Sequence, residues 1–423
     1  MKFVLATWGS RGDIEPTAAV GRELVRRGHE VSMAVPPDLI EFSKAAVPDT
    51  VGFGPNSRSI LDAHRDYWTC FFSTPWRLRQ MARARREISG PLFQGWQDMS
   101  ATLMSLADGA DLIFSGINFE DAAANVAEHF DIPLATLHYF PLRPNSRVLS
   151  FLPAPLSRAV VRAFWWMSWR GTKKVEDTQR RELGLPKAEH SAPRRITERG
   201  SLEIQAYDEA CFPGLAGEWA QFDQQRPFVG TLTLELGADT DDEVLSWIAA
   251  GTAPIFFGFG SIPVESPADT IAMIDSACAR LGTRALVGAA NTDFSDAPHS
   301  ERVKVVGLMN YATVFPACRA IVHHGGSSTT PIAMRAGVPQ LILFWDLVHA
   351  IYGGAVKRLK VGVARRFSTV TEETLVADLS AVLAPEYVAR ARELATRITE
   401  PAKSAAAAAD RLEDFARRGP VTR

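Results

Sequence analysis

The stretch Ile321-Val-His-His-Gly-Gly-Ser-Ser-Thr-Thr-Pro-Ile-Ala-Met-Arg-Ala-Gly-Val-Pro-Gln340 constrains the fold of this chain more than any other. An apolar strand runs into a loop of histidines, glycines and hydroxyls. A helix is expected from about Ser328 to Ala336, stopped by Gly337, and a second apolar strand begins at Gln340-Leu-Ile-Leu343. Strand, loop, helix and strand in that order read as one unit of a parallel α/β sheet. Gly325 and Gly326 let the backbone approach a ligand closely. Ser327, Ser328 and Thr329 fall where the unpaired N–H groups of a helix N-terminus point outwards, and that end attracts phosphate. His323 and His324 add ring donors. At the carboxyl edge of a parallel sheet such a turn reads as a diphosphate cradle. The plainer alternative is a Gly-rich turn with two satisfied histidines.

Both halves of the chain open alike. Lys2-Phe-Val-Leu-Ala6 leads to Gly9-Ser-Arg-Gly12 and a helix starting near Pro16, a residue suited to a first helical position. Later strands are expected at Glu30–Val35, Asp111–Phe114 and Pro133–His138. In the second half Pro254-Ile-Phe-Phe257 leads to Gly258-Phe-Gly-Ser261, and strands recur at 284–288, 303–306, 320–322, 340–343 and 361–364. Alternating strands and helices predict two doubly wound α/β domains. Their length is enough for two cores, as 423 residues implies. We expect domains at 1–215 and 216–390, followed by helices at 391–423.

The signature at 321–339 resembles the donor-binding segment of the family 1 glycosyltransferases. The opening Leu5-Ala-Thr-Trp-Gly-Ser-Arg-Gly-Asp-Ile-Glu-Pro16 is similar to their bacterial branch, which includes the vancomycin-type and sterol glycosyltransferases. Lys360-Val-Gly-Val-Ala-Arg-Arg-Phe-Ser368 and Ala34-Val-Pro-Pro37 resemble mycobacterial enzymes that glycosylate surface glycolipids. The resemblance implies a GT-B fold, two Rossmann-like domains facing each other across a cleft, with the last helices crossing back to the first domain. It implies a nucleoside-diphosphate sugar as donor and a lipid, glycolipid or other hydrophobic acceptor. The nucleotide base would then lie near Leu308–Tyr311.

Composition narrows the partners. A net charge of −2 gives no reason to expect nucleic acid. The longest uncharged run, Val244 to Val264, is broken by Gly251, Pro254, Gly258, Gly260 and Pro263, so no transmembrane segment is expected. The start of the chain is too short and too Gly-rich to read as a signal peptide. Cys70, Cys211, Cys278 and Cys318 are scattered without a CxxC pair, which fits reduced thiols in the cytoplasm.

Sugar transfer from a diphosphate needs a stabilised leaving group, a deprotonated acceptor and an oriented sugar. The loop 323–329 is expected to supply diphosphate donors, and Ser10 and Ser261 on the other Gly loops to add more. Asp13, at the end of the first Gly turn, is the candidate base, and the resemblance gives its counterpart that role. Capping of the following helix is the alternative reading, and Glu15 is the fallback base. Asp239-Thr240-Asp241 matches a metal-binding DxD pattern but precedes a helix, so it reads as an acidic helix start; no metal and no cofactor are expected. Where the family carries Asp-Gln against the donor sugar, alignment through Gly353 places Val348-His349, which points to a donor with fewer or differently placed hydroxyls, such as a 6-deoxyhexose, or to impaired activity.

Two segments, about 60–100 and 145–180, combine arginines with large apolar residues, among them Trp68, Phe72, Trp76 and Phe164-Trp-Trp-Met-Ser-Trp169. They read either as core faces with solvated arginines, or as an acceptor site beside anionic headgroups at the inner face of the cell membrane. His138 is either a cleft residue or a core histidine. A silent sugar-nucleotide-binding partner protein is a competing function. A nicotinamide-dependent oxidoreductase is another, but neither Gly loop spells GxGxxG.

Overall fold

In the computed structural model the described residues are 1–58, 60, 63, 67, 70, 74, 76–149, 152–260, 264, 266–289, 292–296 and 300–419. Ser261, Trp68 and Phe72 lie outside them. The chain divides into two compact units, Met1–Ile60, Arg83–Leu234 and Thr399–Arg423 in one, Leu61–Ala82 and Glu235–Ile398 in the other.

The first unit is built on β1 (Lys2–Ala6), β2 (Glu30–Val35), β3 (Thr50–Gly52), β4 (Leu112–Gly116), β5 (Leu134–His138) and β6 (Leu202–Gln205). The second holds β7 (Ile255–Gly258), β8 (Ala285–Gly288), β9 (Val303–Val306), β10 (Ala320–His323), β11 (Gln340–Phe344) and β12 (Gly362–Arg366). The sheets run β3-β2-β1-β4-β5-β6 and β12-β11-β10-β7-β8-β9, with every pairing parallel. Counted from its own first strand, each sheet therefore has the order 3-2-1-4-5-6 of dinucleotide-binding folds. Strands covered on both faces become continuous apolar runs, and Phe3, Val4, Leu5, Ile113, Phe114, Ile321 and Val322 are accordingly buried. The order reverses between β1 and β4 in one unit and between β7 and β10 in the other. Open α/β sheets bind ligands at such a reversal, outside the carboxyl ends of the strands.

Helix α1 (Arg11–Arg26) begins five residues before the expected Pro16, because Ser10 and Asp13 cap it and Pro16 is tolerated near its start. The long helices α2 (Leu78–Ala107), α3 (Glu120–Phe130) and α4 (Ala154–Glu182) follow in the same unit. No helix among the described residues is long and apolar enough to cross a membrane.

The units divide later than 215 and 390. Residues 216–234 stay with the first sheet: Trp219 Nε1 donates to Pro144 O (3.2 Å), Gln205 N to Pro227 O (2.9 Å) and Leu234 N to Glu15 (3.1 Å). Helix 385–395 stays in the second unit, where Gly337 packs against Arg392 and Ala395. The last helix, Pro401–Arg418, lies on α1, and Arg27 reaches Asp410 and Glu413 at 2.6 and 3.0 Å.

Candidate functional site

In the first unit the sheet reversal is lined by the segment after β1, the turn after β4 and the residues after β5. Gly9 and Ser10 end the first of these. Ser10 donates through its N–H (2.7 Å) and its hydroxyl (2.9 Å) to one oxygen of Asp13, Oδ2. Capping of α1 and the candidate base thus coexist in one carboxylate. The hydroxyl of Ser10 orients Asp13, in place of the diphosphate contact expected of it. Tyr139, immediately after β5, is buried against Asp13; burial first, then the Asp13 carboxylate, push its phenol well above the usual range. Sequence reasoning at the end of β5 points to His138 and not to Tyr139, although an aromatic with a polar handle at a strand end is a usable signal.

Beside them Phe119 adopts a left-handed backbone (φ 67°), an uncommon state for a large residue, and functional sites are where such states concentrate. Its ring sits edge-on to Trp8 (5.8 Å) and Trp96 (5.5 Å), while Asn118 Nδ2 donates to Trp8 O (3.0 Å). An aromatic cluster of the core therefore lies near a positioned carboxylate. Glu15, the fallback base, is engaged by the Leu234 N–H.

His138 is a core histidine and lines no cleft, which corrects its candidacy for the acceptor. It is fully buried, its Nε2 lies 2.9 Å from Thr136 Oγ1, and it stands 3.8 Å from Glu203. Glu203 belongs to a buried network in which Arg143 grips Glu120 with two contacts of 2.8 Å and also binds Glu203. Burial alone would raise Glu203, yet Arg143 and Arg226 hold it at about 2. Trp76 is 73% exposed.

In the second unit the reversal is filled by the turn after β10. His323 ends that strand and is 1% exposed. Its Nε2 meets Gln340 Oε1 at 2.8 Å, and its Nδ1 accepts the Gly325 N–H at 3.1 Å. Both ring nitrogens are thereby occupied within the protein, so His323 positions the loop and does not present a donor to phosphate. His324 takes the ring position at the reversal itself. A side-chain carbon on Gly260 would come within 2.3 Å of it, and one on Gly326 within 2.7 Å, so glycine at both places makes the slot. The helix of the cradle spans Thr329–Arg335 with Ser328 at its N-cap, and Thr330 Oγ1 closes back on Gly326 O (2.8 Å). By the geometry of a helix start, the N–H groups of Ser328 and Thr329 have no intrahelical acceptor. Ser327 and Thr329 are buried in the turn.

Val348 and His349 lie in the first turn of helix Leu347–Leu359. Asp346, 3% exposed, caps that helix by accepting the His349 N–H at 2.8 Å. His349 Nδ1 is also 2.8 Å from Asp346, and the His349 ring sits edge-on to His324 at 4.8 Å. The Asp239-Thr240-Asp241 segment holds a loop: Asp241 accepts the N–H groups of Asn310 (2.8 Å) and Ala238 (3.0 Å), and Thr240 donates to Leu308 O. Among the described residues no group of carboxylates, histidines and cysteines has the arrangement of a metal site.

Burial, slightly offset by the Gln340 contact, holds His323 at about 4 against 6.5 for the free group. Burial also lowers His324 and His138 well below 6.5. A depressed histidine binds its proton more readily in the unfolded chain, so its contribution is complete above pH 6.5 and lost as pH falls towards 4. Buried Asp121, raised by burial to about 7, contributes in the opposite direction over the same range. The melting temperature of the wild type is therefore expected to fall more between pH 7 and 5 than that of His323→Asn, and equal slopes in the two proteins would contradict a neutral buried His323 ring.

Comparison with known proteins agrees with this geometry. Residues 285–413 match the C-terminal domain of erythromycin biosynthesis protein CIII-like proteins, and residues 3–89 the N-terminal domain of glycosyltransferase family 28. An uncharacterized glycosyltransferase of Mycobacterium tuberculosis is 53% identical over 421 residues, covering 99% of this chain and all of the relative. Two solved structures share the fold: the spinosyn rhamnosyltransferase SpnG (TM-score 0.66, 14% identity, covering 98% of this chain and 100% of that one) and glycosyltransferase VinC in complex with dTDP (TM-score 0.64, 16% identity, 99% and 100%).

Proposed function

Because the chain belongs to the GT-B family 1 glycosyltransferases, which act on nucleotide sugars, we propose that it is an inverting, metal-independent enzyme. It moves a 6-deoxyhexose from a thymidine or uridine diphosphate sugar to a hydroxyl of a lipid, glycolipid or other hydrophobic acceptor. The observation that carries this reading is Asp13, held by Ser10 with the buried Tyr139 next to it and the Trp8–Phe119–Trp96 aromatic cluster nearby. Asp13 takes the acceptor proton as the acceptor oxygen bonds to the anomeric carbon. The bond from that carbon to the diphosphate breaks on the opposite face, inverting the centre. The leaving diphosphate gains its charge against the N–H groups of the 326–329 turn. Asp241 spends both carboxylate oxygens on backbone N–H groups, which supports a reaction without a metal at the DxD-like segment. The enzyme would work in the cytoplasm, at the inner face of the membrane.

The sugar preference rests on Val348 and His349. Asp346, 3% exposed, gives Oδ1 to the His349 N–H as the cap of the helix, so it supports the helix start and does not restore a carboxylate at position 348. A glucose donor would bury unpaired hydroxyls at about 1–3 kcal/mol each. SpnG, by its name a rhamnosyltransferase, and VinC, solved with dTDP, are consistent with a deoxysugar on thymidine diphosphate. Thymidine- or uridine-linked 6-deoxyhexoses are expected to turn over faster than UDP-glucose, and Val348→Asp with His349→Gln to move preference back towards glucose. Faster turnover of UDP-glucose by the wild-type protein than of every 6-deoxyhexose donor would overturn this assignment. The absent Asp-Gln also favours a second reading, a silent nucleotide-sugar-binding partner, which would bind donor without turnover over any acceptor.

A further inference from the structure

Helix α4 presents two unlike faces. Inward, Trp165 Nε1 donates to Leu142 O (2.7 Å) and Trp169 Nε1 to Glu176 (2.8 Å), so these rings are tethered. Outward, Leu156, Val160, Phe164 and Met167 follow one another at helical spacing, with Trp166 alongside, and are 50%, 41%, 55%, 57% and 57% exposed. This stripe runs for three turns, about 16 Å along the axis. Isolated exposed apolar residues are ordinary on a soluble protein, but a contiguous row marks an interaction surface.

The charges beside the row decide what covers it. From Ala154 to Val175, α4 carries Arg158, Arg162, Arg170, Lys173 and Lys174 and no acid. Arg158 is paired with Glu218 and Lys173 with Asp177, whereas Arg162, Arg170 and Lys174 have no carboxylate partner among the described residues. Arg170 lies over the Trp166 ring at 5.8 Å, and the Arg85 guanidinium of α2 reaches to Gly171. Arg158, Arg162 and Arg194 also line a cavity of about 900 Å³ that opens beside Trp165 and Trp166. The row itself carries no acid, and of the three in the adjoining cavity, Glu189, Glu198 and Glu218, the last two are already paired with Arg194 and Arg158, so a second copy docked through this row would set cations against cations. Leu, Phe, Met and Trp along one line with Arg and Lys at its margins is the make-up of a helix lying in a bilayer interface.

We propose that the outward face of α4 docks on an anionic lipid bilayer, its apolar row entering the headgroup region and Arg162, Arg170 and Lys174 meeting lipid phosphates. This deepens the reading of a lipid acceptor, since it brings the enzyme to the surface where such an acceptor resides. It is tested without donor or acceptor, so its failure leaves the sugar-transfer reading standing.

Full-length protein is mixed with vesicles of phosphatidylcholine, with or without phosphatidylglycerol, and bound protein is measured by flotation. Binding is expected only with phosphatidylglycerol and is expected to weaken in high salt. One cation near an anionic surface contributes roughly fivefold, so Arg162→Gln with Arg170→Gln should lower affinity by about 25-fold. Phe164→Glu with Met167→Glu should reduce it by at least about tenfold, because both side chains leave the interface. These positions are exposed, so melting temperature and donor hydrolysis should match the wild type. The proposal is overturned if wild-type protein ignores phosphatidylglycerol vesicles, or if either double variant binds them as well as the wild type. It is equally overturned if Phe164→Glu with Met167→Glu instead dissociates a dimer that has no vesicle affinity.

Discussion

Asp13→Asn is expected to lower turnover by roughly 10²–10⁴-fold, the scale of losing a general base, while leaving donor affinity unchanged. The substitution separates the two roles of this side chain. Asparagine keeps an oxygen that can accept the Ser10 N–H, now 2.7 Å from Asp13 Oδ2, so the start of α1 is retained. What it loses is the ability to take a proton. A variant with unchanged melting temperature and collapsed turnover therefore identifies the base, and unchanged turnover removes Asp13 from the mechanism.

Gly325→Ala is expected to cost the cradle most of its affinity. Gly325 has φ 95°, a region that disfavours any side chain, and an added carbon would sit 2.9 Å from His349 O and 3.0 Å from Ile342 Cγ2. Strain of about 1–3 kcal/mol corresponds to roughly 5- to 150-fold in dissociation constant if the loop relieves it by moving. The free nucleoside diphosphate and the nucleotide sugar should lose affinity together, since the proposed contact is to the diphosphate they share. Calorimetry showing full nucleotide affinity in a folded Gly325→Ala protein would remove the turn from the donor site.

The architecture was largely legible because parallel strands buried on both faces leave continuous apolar runs, and Gly/Ser loops mark where each is followed by a helix. The sequence alone did not reveal that both sheets share one strand order, since order depends on which runs pair. The tie of 216–234 to the first unit is not legible in the sequence, because it consists of isolated hydrogen bonds with no periodicity. Glycines and hydroxyls mark the turn after β10, but they do not say which of its two histidines is turned into the protein. His323 and His324 are adjacent and chemically identical, and only the Gln340 contact, seventeen residues on, turns the first one inward. Ser10 is ambiguous for a similar reason. A hydroxyl in a Gly turn suits either a ligand or a neighbouring carboxylate, and here it donates to Asp13.

The central claim is tested most directly by following a thymidine-diphosphate 6-deoxyhexose by proton NMR, with purified protein, a long-chain alcohol in detergent as acceptor, and EDTA. The account predicts release of thymidine diphosphate and a glycoside whose anomeric configuration is opposite to that of the donor. A product with the donor's configuration, dependence on added metal, or donor binding with no product over a panel of hydrophobic acceptors would contradict it.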